Sequence, residues 1–242
     1  INAGEGDDLI TLGDTPAAFT EEDGKDAEDA ADANNNVVNH LYARVTINGG
    51  VGDDHLHILD ESDTANDTFQ LTQTRLTGMG LGNDDLDRGV EYHTFETMQI
   101  DAGYGHDVAN VRGVLPTTTI NLHDGDDIIY ISDLADVHAD GSRPDFLGGT
   151  VDDIDGDLIL DAGKGRHLLM ISDVDATAGD TNVTFDEGEL AGLSQGTITY
   201  RTDDDEGNFA DGITVWSGSG EDTIAVTGSH RRDGVRTATT IN

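Results

Sequence analysis

The sequence predicts an all-β protein, a parallel β-solenoid of the β-helix or β-roll kind with acidic loop excursions. Three observations carry that expectation. A twelve-residue pattern recurs six times along 242 residues, apolar residues alternate on either side of it, and a glycine-rich corner ending in aspartate sits at its centre. Repetition of this density marks an architecture in which each unit buries its apolar face against its neighbours.

The pattern runs apolar, polar, small, Gly, any, Gly, any, Asp, any, apolar, any, apolar. It reads INAGEGDDLITL from Ile1, INGGVGDDHLHI from Ile47, IDAGYGHDVANV from Ile100, INLHDGDDIIYI from Ile120, LDAGKGRHLLMI from Leu160 and VWSGSGEDTIAV from Val215. His123 takes the place of the first glycine in the fourth copy, and His167 replaces the aspartate in the fifth. In Val45-Thr46-Ile47-Asn48 and Leu56-His57-Ile58 apolar side chains fall on every second residue, as in strands with one buried face. The segment between such strands is a turn, because glycine supplies positive φ and aspartate accepts backbone hydrogen bonds. Stacking should set like above like, so Ile47, Ile58, Ile100, Ile120, Ile131, Leu160, Ile171, Val215 and Val226 are expected in buried apolar ladders. Asn2, Asn48, Asn121 and Asn242 suit either a ladder of stacked amides or ordinary polar positions beside a turn.

A longer period lies above the short one. Ile47 and Leu160 are 113 residues apart, and Ile100 and Val215 are 115 apart. Between them, Asp60-Glu61-Ser62-Asp63-Thr64-Ala65-Asn66-Asp67 resembles Asp173-Val174-Asp175-Ala176-Thr177-Ala178-Gly179-Asp180. Residues 1–242 therefore read as one period of a tandem array, made of two related half-units, approximately 1–119 and 120–242. Thr239-Thr240-Ile241-Asn242 repeats the approach Thr118-Thr119-Ile120-Asn121, and Ile1-Asn2 begins a motif. The expectation is head-to-tail assembly with neighbouring copies, each unit adding roughly 50 Å of fibre at about 4.8 Å per strand. Gly13–Asn39 and Asp133–Asp157 are acidic stretches expected to leave the stack as surface excursions, the first with a short helix.

Charge narrows the function. Twelve Lys+Arg against 50 Asp+Glu give a formal net charge of −38. That excludes a nucleic-acid binder, which must neutralise phosphates, and docking on anionic lipid. No apolar run reaches membrane-spanning length, so no membrane insertion is expected. Cysteine is absent, which removes disulfides, thiolate metal sites and cysteine nucleophiles. No Ser-His-Asp order, nucleophile elbow or phosphate loop is present, so no catalytic residue is assigned and the chain is not read as an enzyme. A β-helical carbohydrate-active enzyme is the alternative from another class, but Arg231-Arg232 is the one adjacent basic pair and aromatics are few.

Gly49-Gly50-Val51-Gly52-Asp53-Asp54-His55-Leu56-His57 resembles the nonapeptide GGxGxDxUx of the repeats-in-toxin (RTX) calcium-binding family. The resemblance implies Ca²⁺ held between stacked turns by the sixth-position aspartates, here Asp8, Asp54, Asp107, Asp127 and Asp222, with Asp7, Asp53 and Asp126 beside them. Ca²⁺ takes six to eight oxygens, and glycine lets backbone carbonyls approach. The alternative is that these aspartates only close turns. The motif copies begin 46, 53, 20, 40 and 55 residues apart, unlike the back-to-back RTX array. The overall pattern is more similar to the spaced GGxGDD repeats of very long bacterial surface and secreted proteins. It implies a structural repeat of a giant extracellular or cell-surface fibre or adhesin shaft stabilised by calcium, or else a calcium-binding segment of a secreted RTX-like protein. His55 and His57 share a strand face, which suits one edge of a Zn²⁺ site, but no third ligand is visible and they are expected to be surface residues. His167 reads as a turn that has lost its ion.

Overall fold

The computed structural model describes residues 1–13, 37–39, 41–81, 88–138, 141–232 and 234–242. The expected helix in the first acidic stretch falls on residues 14–36, outside the described residues. Period-two alternation gives short strands throughout, and glycine corners turn the chain within the motif copies.

In chain order the first strands are β1 (Asn2–Glu5), β2 (Leu9–Leu12), β3 (Val45–Val51), β4 (His55–Leu59), β5 (Thr68–Thr72), β6 (Arg75–Gly78) and β7 (Val90–His93). Then come β8 (Thr97–Asp101), β9 (Val108–Val111), β10 (Thr117–Asn121), β11 (Ile128–Ile131), β12 (Leu158–Asp161) and β13 (Gly165–Ser172). The chain ends with β14 (Val183–Phe185), β15 (Glu189–Ala191), β16 (Ile198–Arg201), β17 (Gly207–Trp216), β18 (Ile224–Val226) and β19 (Thr239–Ile241). They form two mostly parallel sheets, ordered β1-β3-β7-β6-β5-β9-β11-β13-β17-β19 and β18-β14-β15-β16-β12-β10-β8-β4-β2. The six motif turns each carry the chain from one sheet to the other.

Parallel pairing in register sets equivalent apolar residues one above another. One sheet carries Ile58, Ile100, Ile120, Leu160 and Tyr200 on successive strands, and the other Leu71, Val111, Ile131, Ile171 and Val215. All ten are buried in one core. Full burial of each aliphatic rung stabilises by roughly 1.5–3 kcal/mol. Val226 departs from the expected ladder. It is 57% exposed, because β18 is the edge strand of its sheet and has a neighbour on one side only.

The all-parallel expectation fails at two places. β5-β6-β7 and β14-β15-β16 are antiparallel meanders inserted into otherwise parallel sheets. Gln73-Thr74 alone joins β5 to β6, a hairpin-length link that parallel strands cannot use. The second acidic stretch also does more than leave the surface. Ala135 and Leu147 cover the outer side of Tyr130, Leu168, Met170 and Trp216, while Val151 and Ile154 enter the main core.

The half-units correspond strand for strand, with the sheets exchanged. The run β1-β3-β7-β6-β5-β9 in one sheet has its counterpart in β10-β12-β16-β15-β14-β18 of the other, and β2-β4-β8-β10 in β11-β13-β17-β19. Details follow the same rule. Ile47 pairs with Tyr92 as Leu160 pairs with Tyr200. The Tyr92 hydroxyl donates to the Thr72 carbonyl, and that of Tyr200 to the Asp186 carbonyl.

Candidate functional site

The motif turns stack into columns, and glycine makes this possible. A Cβ on Gly125 would lie 1.9 Å from the Gly105 carbonyl oxygen, and one on Gly165 would lie 1.8 Å from that of Gly125. His123 stands in a glycine position and keeps the left-handed backbone, with φ 57°.

Aspartates link each turn to the next rather than closing their own. Asp54 Oδ1 accepts the Asp8 N–H at 2.9 Å, and the Asp54 N–H donates to Glu96 Oε2 at 2.7 Å. In a second column Asp107 accepts from the Asp67 N–H and Asp127 from the Asp107 N–H, both at 2.9 Å. The Asp127 N–H in turn meets His167 Nδ1 at 3.3 Å. Asp222 accepts from the Asp180 N–H at 2.9 Å. The preceding residue runs the opposite way. Asp7 accepts the Asp53 N–H of the following turn at 3.0 Å, His106 accepts that of Asp126 at 2.7 Å, and Asp126 accepts that of Arg166 at 2.8 Å. Each interior turn is thus held from both sides by side chains (two ladders of opposite direction).

These ladders satisfy only half of each buried carboxylate. The second oxygens of Asp54 and Asp107 and one oxygen of Asp8 are buried with no hydrogen-bond partner, and that of Asp127 has only the His167 imidazole, its Nδ1 3.4 Å away. Burial raises the Asp107 carboxyl to about 7, opposed by the Asp67 N–H and reinforced by Asp127, Asp67 and Asp63. Asp127 is raised by burial as well, against the pull of His167. A charged carboxylate left in low dielectric without a counter-charge is costly, and a proton or a cation relieves it.

Of the residues picked out from the motif, Asp8 with Asp54 and Asp107 with Asp127 are brought together in columns. Asp222 lies apart from both, beside Asp180. Asp53 is exposed at its turn. The motif reading missed Asp60, Asp63 and Asp67, whose oxygens lie within 4.8 Å of one another. Asp60 follows β4 and Asp67 precedes β5, so the corner between the strands gathers them. Burial pushes the Asp60 carboxyl up to about 8, against the hydrogen bond from Val38 N–H and with the charges of Asp63, Asp67 and Asp107 adding. The signal lies in the likeness of Asp60–Asp67 to Asp173–Asp180, which by itself marks only repetition.

The histidine pair does not form a metal edge. His55 Nδ1 lies 2.7 Å from Thr97 Oγ1, and His57 Nε2 contacts the Asp101 carboxylate. Asp101 also receives Asn121 Nδ2 at 2.6 Å and Gln99 Nε2 at 2.8 Å, with His123 Nε2 at 3.7 Å. Against burial, the nearby His123 imidazole and the hydrogen bonds from Asn121, His57 and Gln99 hold the Asp101 carboxyl below the usual carboxylate range. The asparagine ladder is likewise mixed: Asn2 pairs with Asn48, but Asn121 lies between Asp101 and Asp161. Arg232, with Tyr200, Thr202 and His230, lines an open depression of about 260 Å³.

Comparison with family models, curated proteins and solved structures returns no match for this chain. The RTX resemblance therefore rests on the motif residues themselves.

Proposed function

We propose that the chain is a structural repeat, a two-sided β-solenoid that stacks head to tail with copies of itself as the calcium-stabilised shaft of an extracellular or cell-surface fibre. The observation that carries this reading is the exchange of sheets between half-units. β18 occupies the place in its half that β9 occupies in the first, and β11, which covers the outer edge of β9, is the counterpart of β2. Among the described residues nothing pairs with the outer edge of β18 or of β2. A following copy would therefore set its β2 against β18 and its first strand at the place of β19. The step is then nine strand spacings in both sheets, so successive copies close without mismatch. At about 4.8 Å per spacing the unit adds about 43 Å, somewhat less than the sequence estimate. The net charge of −38 keeps shafts from clumping sideways.

Chains of one, two and four copies in series test the shaft. Small-angle scattering should give one constant cross-section and a maximum dimension growing by about 43 Å per added copy. Dimensions growing with the square root of copy number, as for beads on a flexible linker, would contradict it.

A further inference from the structure

The corner after β4 and the corner after β13 are the same piece of structure on opposite sheets. The Asp60 N–H donates to the Asp101 carbonyl at 2.8 Å, and the Asp173 N–H to that of Trp216 at 2.9 Å. Asp60 Oδ1 accepts the Val38 N–H at 2.9 Å, and Asp173 Oδ1 that of Val151 at 3.1 Å. The Asp63 and Ala176 N–H groups close the same turn onto Asp60 and Asp173, both at 2.9 Å. Asp67 rests on Asp107 as Asp180 rests on Asp222.

One difference stands out within this match. In the first corner Asn39 Nδ2 donates to Asp63 Oδ2 at 2.7 Å. In the second, the counterpart of Asn39 is Asp152 and the counterpart of Asp63 is Ala176. The fourth carboxylate of the set has moved to the matching position opposite, so each corner keeps four, with Glu61 in the first and Asp175, bound by the Gly149 N–H, in the second outside the set. Free drift of surface charge has no reason to preserve that number, whereas a bound cation does.

Two further facts point to a ligand. Asp60 and Asp107 are each 1% exposed, and each has one carboxylate oxygen buried with no hydrogen-bond partner. Oxygens of Asp60, Asp63 and Asp67 lie within 4.8 Å of one another. Oxygens on opposite sides of Ca²⁺ stand about 4.6–5.2 Å apart, and the tighter Mg²⁺ shell brings them to about 4 Å. Among the described residues only the first corner brings three ligand oxygens that close; the second shares its hydrogen-bond pattern and the mutual effect of its charges. Burial raises Asp173 to about 6, against the Val151 N–H, with Asp152, Asp180 and Asp222 adding.

We infer that each unit holds two calcium-class cation sites, one built by Asp60, Asp63, Asp67 and Asp107, the other by Asp152, Asp173, Asp180 and Asp222. The second is the first carried onto the other sheet. This deepens the calcium part of the function proposed above and is independent of whether copies form a shaft. It moves the ion from the motif turns to the corners that follow them: Asp54 and Asp127 then serve as inter-turn acceptors, Asp8 donates its N–H to Asp54, and Asp107 and Asp222 do both.

The full chain, stripped with chelator and titrated with CaCl₂ at constant ionic strength in a calorimeter, should bind two ions. Asp60→Asn and Asp173→Asn each keep the acceptor for Val38 or Val151 and should each lower the number to one. Asp54→Asn should leave two. Asp152→Asn should lose the second site, and adding Ala176→Asp should restore it in the form of the first. Far-UV circular dichroism on every variant checks that the strands persist. A wild-type chain that binds no Ca²⁺ overturns the proposal, as does one that still binds two with Asp60→Asn and Asp173→Asn combined. Failure here with scattering lengths still growing linearly would leave the shaft standing without its ions.

Discussion

Replacing Gly125 by alanine probes the stacking of turns on which everything else depends. Gly125 lies between β10 and β11, with Gly105 on one side and Gly165 on the other. Its backbone is not in the left-handed region, so alanine suffers no conformational strain there. The penalty is the neighbouring turn: the new Cβ would stand 1.9 Å from the Gly105 carbonyl oxygen and 2.8 Å from Asp127 Oδ1. A carbon and a carbonyl oxygen need about 3.3 Å, so the turn must withdraw by more than an ångström. That movement draws Asp127 Oδ1 away from the buried Asp107 N–H, now at 2.9 Å, and the Asp126 N–H away from His106, now at 2.7 Å. An orphaned buried N–H costs about 1–3 kcal/mol and forced overpacking about 1–3 kcal/mol, so about 2–6 kcal/mol is expected in all. For a chain of this size that lowers the melting temperature by about 10 °C. Gly6→Ala is the control, since its Cβ would meet nothing within 4 Å but its φ is +117°. It should cost only the backbone strain, about 1–3 kcal/mol, at an edge strand that is already open. Thermal melts by circular dichroism at fixed calcium compare the two. If Gly125→Ala is no more destabilising than Gly6→Ala, the turns do not stack at this distance.

Asp60→Asn should change the sign of its effect with calcium. In chelator it removes a buried carboxyl whose ionisation burial opposes and should raise stability by about 1–3 kcal/mol, whereas in excess Ca²⁺ it should lower it, as paired denaturant melts would record. Asp127→Asn keeps an acceptor for the Asp107 N–H and should be close to neutral in chelator, but Asp127→Ala should cost about 2 kcal/mol in urea titrations. The Asp101 carboxylate, 3.7 Å from its Nε2, raises His123 above the ordinary histidine value, against the effect of burial. Its contribution to stability is therefore complete below about pH 6.5 and is lost as pH rises through the folded value. A histidine ¹H–¹⁵N titration should find the His123 midpoint raised in the wild type and lowered by Asp101→Asn; an unmoved midpoint would separate the two residues.

The strands and turns were legible because period-two alternation and glycine corners are local signals. Ile58, Ile100, Ile120 and Leu160 lie in one ladder because the repeat places them in register. The meanders were not legible. Thr72-Gln73-Thr74-Arg75 lacks the Asn-Gly or Asp-Gly signature of a tight hairpin, so nothing local announced an antiparallel return. Sheet exchange left no mark either, since residues facing one core read alike from either sheet. Val226 was expected inside because its position matches Val111 and Ile131, but a ladder needs a neighbour on each side, and β18 has one. For the site, the motif drew attention to the sixth-position aspartates, whose job between turns is hydrogen bonding. The gathering of Asp60 with Asp67 and Asp107 depends on which turn lies above which, and sequence spacing does not carry that information.

The exchange of sheets predicts the joint between copies down to the register. Ala109, Asn110 and Val111 of β9 face Ile129, Tyr130 and Ile131 of β11. Carried over by the internal repeat, Ile224, Ala225 and Val226 should face Ile10, Thr11 and Leu12 of the next copy. Neighbouring strands run about 4.8 Å apart, inside the Cα separation a disulfide spans. The chain has no cysteine of its own, so an engineered pair reports cleanly. In a two-copy chain, Ala225→Cys in the first copy with Thr11→Cys in the second should oxidise to one internal cross-link and leave the melting temperature unlowered. Ala225→Cys with Leu9→Cys, two residues out of register, should not close. If the in-register pair stays reduced, or both pairs close equally, the two copies do not continue one another's sheets.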